Sequence, residues 1–387
     1  MRRRDFIKWA ATTVAALSVW AAPGSLQLRR PKRRLVTACD PAGERRLTMM
    51  ATGDIMMHLP VSQSALQPDG HYDFRPHLQY VRPLFRNADL VMGNLETPLA
   101  GGPLHGYPAF NGPDELIDSL KWAGFSALTL ANNHSLDQGW KGIFRTAEVV
   151  RQGGLIYVGA YLSAEDRARA RLFSAHGVTV GLTGYTYGVN GGWQYPKGES
   201  WRLNFVDETA MAAEVQGLGE AGADFIVVNI HFGDEYHREP NRKQLALAEA
   251  LFEAGADLII GHHPHVVQPG RVQLGRVHNG GPESGRAAVF SLGNFLSNQR
   301  DRYTDQGLMV TAVLSLDSQG RKHLGPLVLH QTRCIRRVVE GKTTYRVLPV
   351  YEASQNPAAF GLTAAEAAFL ARDHQDMSRH LVDYQPD

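Results

Sequence analysis

The sequence predicts an α/β fold, and three observations carry that prediction. Apolar, strand-like runs alternate with segments of helical spacing from residue 46 onward. Nearly every one of these runs stops abruptly at Asp, Glu, Asn or His. Of the 387 residues 43% are hydrophobic and 20% charged, enough apolar surface for a large core and too much for a disordered chain.

Residues 1–21 read as an export signal. Arg3-Arg4-Asp5-Phe6-Ile7-Lys8 has the twin-arginine pattern, an apolar stretch over 9–22 follows, and Val19-Trp20-Ala21 offers a cleavage site, with the cut expected after Ala21. The expectation is Tat export to a periplasmic or other extracytoplasmic location. Residues 22–45 read as a basic, Pro-containing linker around Arg29-Arg30-Pro31-Lys32-Arg33-Arg34. It reads as a solvated tether, with contact to anionic lipid or wall polymer as the alternative. Val36-Thr37-Ala38-Cys39 has the look of a lipoprotein cleavage box, but the basic cluster occupies the place of its apolar segment, which argues against lipidation. Cys39 and Cys334 allow one disulfide in an oxidising compartment, and nothing in the sequence says that they meet.

Residues 1–21 hold four basic side chains and one acidic one, so without them the net charge falls from +2 to −1. That balance gives no reason to expect nucleic acid as a partner. No apolar run after residue 22 approaches the roughly 20 residues of a spanning helix.

Residues 46–350 read as one domain and 351–387 as a helical C-terminal tail. A buried strand over 47–55 opens into a loop at Gly53-Asp54, and 75–88 have helical spacing. A strand over 89–95 ends in Gly93-Asn94-Leu95-Glu96. Pro113 starts a helix with Asp114 and Glu115 in its first turn, and Gly124 closes it. A strand over 125–131 then ends in Asn132-Asn133-His134. A helix over 140–152, a strand over 155–159 and a hairpin of 171–176 with 178–184 follow. Residues 187–200, rich in Gly and aromatics, read as a long loop. Helices over 207–219 and 240–254 alternate with strands over 224–231 and 257–261, and a strand over 287–292 ends in Gly293-Asn294-Phe295. Residues 307–349 alternate as β strands, and a last helix covers 363–373.

In α/β sheets, ligand sites form where strand ends and loops converge. Asp54, Glu96, Asn133, His134, His231, His263 and His265 stand at successive strand ends. Carboxylates, an Asn carbonyl and imidazoles together make a donor set for a borderline divalent ion, Mn, Fe or Zn, and the lack of Cys argues against a structural zinc site. A bridging carboxylate can hold two such ions and clamp an in-line displacement. His58, His71, His77 and His105 lie in loops or helices nearby, where the ordinary reading is a solvated surface histidine. Alternation along an extended segment turns His262 away from His263 and His265, which excludes it. Glu235 and Tyr236 continue the motif from His231 and are expected to contact substrate. Asp137 either orients His134 or caps a helix. Asn94 and Asn294 are either donors behind the ligands or loop caps.

In order and spacing, Gly53-Asp54, Gly93-Asn94-Leu95-Glu96, Ala131-Asn132-Asn133-His134, His231-Phe232-Gly233-Asp234-Glu235-Tyr236 and Gly261-His262-His263-Pro264-His265-Val266-Val267-Gln268 resemble the CapA family of poly-γ-glutamate capsule biosynthesis proteins. Ser291-Leu292-Gly293-Asn294-Phe295 matches a further motif, and the resemblance covers about residues 47–300. It implies a calcineurin-like metallophosphatase fold, a two-layered β-sheet sandwich flanked by helices. It further implies that Asp54, Glu96 and His265 hold one ion, that Glu96, Asn133, His231 and His263 hold the other, and that His134 is a general acid. The phosphoesterase pattern has His two residues after the first Asp, and here that residue is Met56, a poor donor for hard ions. Three functions are open: capsule or exopolymer assembly with an anionic polymer and a membrane-bound synthesis complex as partners, an independent hydrolase of a small phosphoester or amide substrate, or a metal-containing polymer-binding module without turnover.

Overall fold

The structure is a computed structural model that describes residues 43–273, 277–278, 281–282 and 285–383. The twin-arginine segment, the linker up to residue 42 and Cys39 lie outside the described residues.

β1 (Arg45–Ile55) sits centrally in the first sheet. Its alternation sends Leu47, Met49 and Ala51 to one face and Met50 to the other, a register irregularity near its end brings Ile55 to the Met50 face as well, and both faces are covered. β2 (Leu90–Leu95), β3 (Ala127–Thr129) and β4 (Ile156–Val158) follow in parallel. The second sheet begins with β5 (Leu172–Ala175), β6 (Val178–Thr186), β7 (Phe225–His231) and β8 (Leu258–His262). β9 (Val267–Gln273) follows, then the short pair β10 (Val277–His278) and β11 (Gly281–Pro282), then β12 (Arg286–Leu292). β13 (Asn294–Leu296), β14 (Gln306–Leu316), β15 (Lys322–Leu324), β16 (Val328–Val339) and β17 (Lys342–Pro349) return to the first sheet. The orders are β17-β16-β14-β1-β2-β3-β4 and β5-β6-β7-β8-β12-β9.

Leu47, Met49, Leu90 and Met92 of the first sheet pack on Val180, Leu182, Phe225, Val227 and Ile260 of the second. Helices Glu115–Ala123 and Gly139–Gln152 cover the first sheet through Leu116, Leu120, Ile143 and Ala147. Helices Glu208–Glu220 and Arg242–Ala254 cover the second through Met211, Val215, Leu251 and Phe252. The result is the expected sandwich flanked by helices. Local chemistry starts these helices where the sequence pattern placed them. Asp207 accepts from the Ala210 amide, and Asn241 forms a reciprocal capping box with Gln244. Two glycines permit the close approaches that bring the strand ends together. A Cβ at Gly53 would lie 2.0 Å from the Gly293 carbonyl oxygen, and one at Gly261 1.9 Å from that of Phe290.

Three local expectations change. Residues 75–88 form two one-turn helices, Arg75–Leu78 and Arg82–Phe85, because Pro76 and Pro83 each sit in a first turn and cannot continue a helix from before. A helix Leu59–Ala65 and the strand β9 appear where none was expected. The last helix runs Ala364–Asp383 and docks on the sandwich: Arg333 donates to Asp373 (2.7 Å), and Met377 is buried in the core between the sheets. Its apolar side is sparse, so the polar sequence after 373 gave little sign of it. Cys334 is buried, its thiol donating to Ser297 O at 3.3 Å. No helix among the described residues is long and apolar enough to cross a membrane.

Candidate functional site

The ends of β1, β2, β3, β7 and β8 converge on one buried cluster. Asp54 stands in register with Asn94 on β2 and Asn294 on β13, and His231 with His262. One oxygen each of Asp54 and Glu96 and one ring nitrogen of His265 lie within 4.8 Å of one another. His231 Nε2 lies 3.6 Å from Glu96 Oε1 and 2.9 Å from Asn133 Oδ1. The His231 and His263 rings are 4.7 Å apart. Asp54, Glu96, Asn133, His231, His263 and His265 are thus brought together, and these six and His134 are all buried.

Polar groups behind the cluster hold it in place. Asn94 Nδ2 donates to Asp54 Oδ1 (2.8 Å), and Asn132 Nδ2 donates to Asn94 Oδ1 (3.1 Å). His265 Nδ1 donates to Asn294 Oδ1 (3.1 Å). Asn94 and Asn294 therefore brace ligand candidates rather than cap loops. His134 Nδ1 donates to Asp137 Oδ2 (2.7 Å), which also accepts from the Phe110 amide (2.7 Å). Asp137 orients His134, and the cap position of the next helix belongs to Gln138.

His262 is the correction. Its Nδ1 lies 3.2 Å from Asp54 Oδ1, and its ring is buried at the site. Alternation failed because the chain is not extended there: His263 has φ 101° and His265 φ 58°, so the turn redirects successive side chains to one place. Phe110, whose ring is 4.7 Å from that of His134, and Tyr187, 4.6 Å from His263, were also missed. Both lie in loops without periodicity, so no local signal could have found them. Glu235 and Tyr236 are exposed beside the cluster, the Tyr236 ring 6.1 Å from that of His265. Among the other histidines, His58 stacks edge-on against Phe110 at 5.0 Å. His77 is buried away from the cluster against Tyr345, while His71 and His105 are exposed.

Burial alone would raise the Asp54 carboxyl, but the close imidazoles of His262 and His265 outweigh it and hold it well below the usual carboxylate range. Burial, and then the Asp54 charge, pushes Glu96 well above that range. Burial, with His265 beside it, lowers His263 to about 4, and burial with His263 lowers His231 well below its ordinary value. These imidazoles are neutral at pH 7 with lone pairs to offer. Glu96 Oε1 and His263 Nδ1 are buried with no hydrogen-bond partner among the described residues. A buried carboxylate beside a second one calls for a proton or a cation. The donor set therefore fits a borderline divalent ion.

Residues 48–299 match the family described as "Bacterial capsule synthesis protein PGA_cap". The capsule biosynthesis protein CapA of Bacillus anthracis is 33% identical over 262 residues, 66% of this chain and 60% of that protein. The PGA biosynthesis protein CapA of Bacillus subtilis (strain 168) is 32% identical over 296 residues, 74% of this chain and 72% of that protein. The chain thus spans less than two thirds of the Bacillus anthracis relative. Among solved structures, the NAD nucleotidase of Haemophilus influenzae aligns at 12% identity and a TM-score of 0.45, covering 86% of this chain and 60% of that one. The calcineurin-like phosphoesterase YfkN of Bacillus subtilis aligns at 14% and 0.41, covering 88% and 100%. At these scores the structural likeness adds nothing to the sandwich seen directly. The match over 48–299, which includes all the strand-end motifs, is decisive: the chain belongs to the bacterial capsule synthesis protein family PGA_cap.

Proposed function

We propose that this chain leaves the cytoplasm by the Tat route and takes part there in making or exporting a poly-γ-glutamate-type capsule polymer, through a site that holds one or two divalent ions. Family membership supports the polymer. The observation that carries the metal is the buried Asp54–Glu96 pair, with Glu96 Oε1 having no hydrogen-bond partner among the described residues. Asp54, Glu96 and His265 would hold one ion, and Glu96, Asn133, His231 and His263 the other, with Mn, Fe or Zn suited to the donors. When bound, such ions supply Lewis acidity toward an oxygen of the scissile group. His134, held through Nδ1 by Asp137, keeps Nε2 for donating a proton to the leaving atom. The exposed rings of Tyr187 and Tyr236 flank the cluster and suit contact with a substrate chain. A membrane-bound synthesis complex is the partner this reading expects.

The His134–Asp137 pair favours one further reading, an independent hydrolase of a phosphoester or amide bond, because a braced general acid serves turnover rather than docking. The test is metal analysis of the mature protein after chelator-free purification, followed by phosphoester and γ-glutamyl substrates and by polymer yield in cells lacking the gene. Absence of bound metal would overturn the site. Normal polymer yield without the chain would overturn the capsule role, and turnover of an unrelated phosphoester would favour the hydrolase.

A further inference from the structure

The phosphoesterase pattern loses one imidazole donor here, because the residue two beyond Asp54 is the buried Met56. A thioether is a poor partner for a hard or borderline cation. The structure offers a replacement in the turn that follows β7. The Glu235 carboxylate and the ring nitrogens of His263 and His265 form a second group whose donor atoms all lie within 4.8 Å of one another. It shares His265 with the group of Asp54 and Glu96.

This is a built position rather than a passing surface acid. Gly233 adopts φ 105°, a conformation that side chains disfavour, and turns the chain just beyond β7. The Tyr236 amide then donates to Pro264 O at 2.8 Å, which ties the segment carrying Glu235 to the histidine turn. The neighbouring acid is engaged elsewhere, since Asp234 accepts from Asn241 Nδ2 at 2.8 Å. On the other side of the group, His263 is 3% exposed and its Nδ1 has no hydrogen-bond partner among the described residues. A buried imidazole that keeps a ring nitrogen free of hydrogen bonds, with a ring nitrogen within 4.8 Å of a carboxylate oxygen, has the chemistry of a ligand pair.

We propose that Glu235 is a metal ligand, a carboxylate that makes up for the imidazole position 56 does not provide. The assignment rests on the metal reading above and moves Glu235 from substrate contact to the ion itself. Three carboxylates, Asp54, Glu96 and Glu235, then contribute to one centre, and an oxygen-rich donor set shifts preference toward Mn over Zn. Glu235 is exposed while Asp54 and Glu96 are buried, so Glu235 would be the carboxylate on the side of the site open to substrate.

The test strips the mature protein with chelator and titrates it with MnCl2 and with ZnCl2 by calorimetry, with Mn(II) electron paramagnetic resonance as an independent readout. Glu235→Gln keeps the shape and removes the charge at an exposed position, and its metal-free melting curve should match wild type. Its Mn affinity should fall by at least about 100-fold, the upper end of what loss of a mere outer-sphere partner costs, and its preference should move toward Zn. Glu239→Gln, an exposed acid in the same segment, should bind Mn as wild type does. If Glu235→Gln binds Mn with unchanged affinity and an unchanged spectrum, Glu235 is not a ligand, while the site of Asp54, Glu96 and His265 stands. If wild-type protein binds neither ion, the metal reading itself falls and this assignment with it.

Discussion

Replacing Glu96 by Gln should change how the stability of metal-stripped protein responds to pH. Glu96 is fully buried, its Oε1 has no hydrogen-bond partner among the described residues, and burial and then Asp54 raise its pKa well above the ordinary 4.5. An acid whose folded pKa is raised destabilises the fold once pH passes the unfolded value, and the loss grows until the folded pKa is reached. His231 and His263 work the other way. Their folded pKa values are depressed below 6.5, so stability falls as pH drops below 6.5 and is fully present above it. Asp54 acts only below its ordinary 3.8, outside this window. Above pH 6.5 the Glu96 slope therefore stands alone among the cluster's resolved shifts. One group can tilt stability by no more than about 1.4 kcal/mol per pH unit. In urea unfolding, stripped wild type should lose stability as pH rises above about 6.5, while Glu96→Gln stays flat and ends more stable. Added Mn(II) should reverse that ranking, since binding to the native state stabilises wild type and not the variant. A stripped wild type as flat as the variant, or an equal gain from Mn(II) in both, would refute the view of Glu96 as a buried acid that needs a cation.

His265→Ala should lower metal content, whereas His134→Ala should keep the metal and lose about 10²–10⁴-fold in rate; metal stoichiometry paired with turnover or polymer yield reads both, and metal loss in the His134 variant would contradict its role as acid. Changing Arg3 and Arg4 to Lys should hold the precursor in the cytoplasm, and normal recovery outside it would dispose of Tat export. Asn241→Ala removes the half of the capping box of helix Arg242–Ala254 in which its side chain accepts from the Gln244 amide, while the amide of residue 241 can still donate to Gln244 Oε1; it should cost about 1 kcal/mol, seen as a lower urea midpoint with unchanged slope.

The strands and helices that build the sandwich were legible because their signals are local. Apolar runs such as 224–231 and 257–261 read as buried strands, close to the observed Phe225–His231 and Leu258–His262, and Asp207, Asn241 and Gly124 mark helix ends through bonds made within a few residues. The candidate ligands were legible for the same reason, because a polar residue that interrupts an apolar strand stands out in the chain itself. Which residues meet which is a different matter. That His262 reaches Asp54 depends on two left-handed residues in the turn after β8, and periodicity assumes none. That Phe110 braces both His134 and Asp137, and that Tyr187 lies against His263, depends on where loops travel across the ends of two sheets. The docking of helix Ala364–Asp383 rests on Asp373 and Met377 finding Arg333 and the core between the sheets, about 40 residues or more away in the chain. By itself the sequence determined the α/β class, the strand-end donors and the family motifs, since each is written in neighbouring residues. Only the tertiary structure decided that Glu96 Oε1 is buried with no hydrogen-bond partner among the described residues and that Glu235 stands beside His263 and His265, because burial and long-range proximity belong to the packed chain and not to any segment of it.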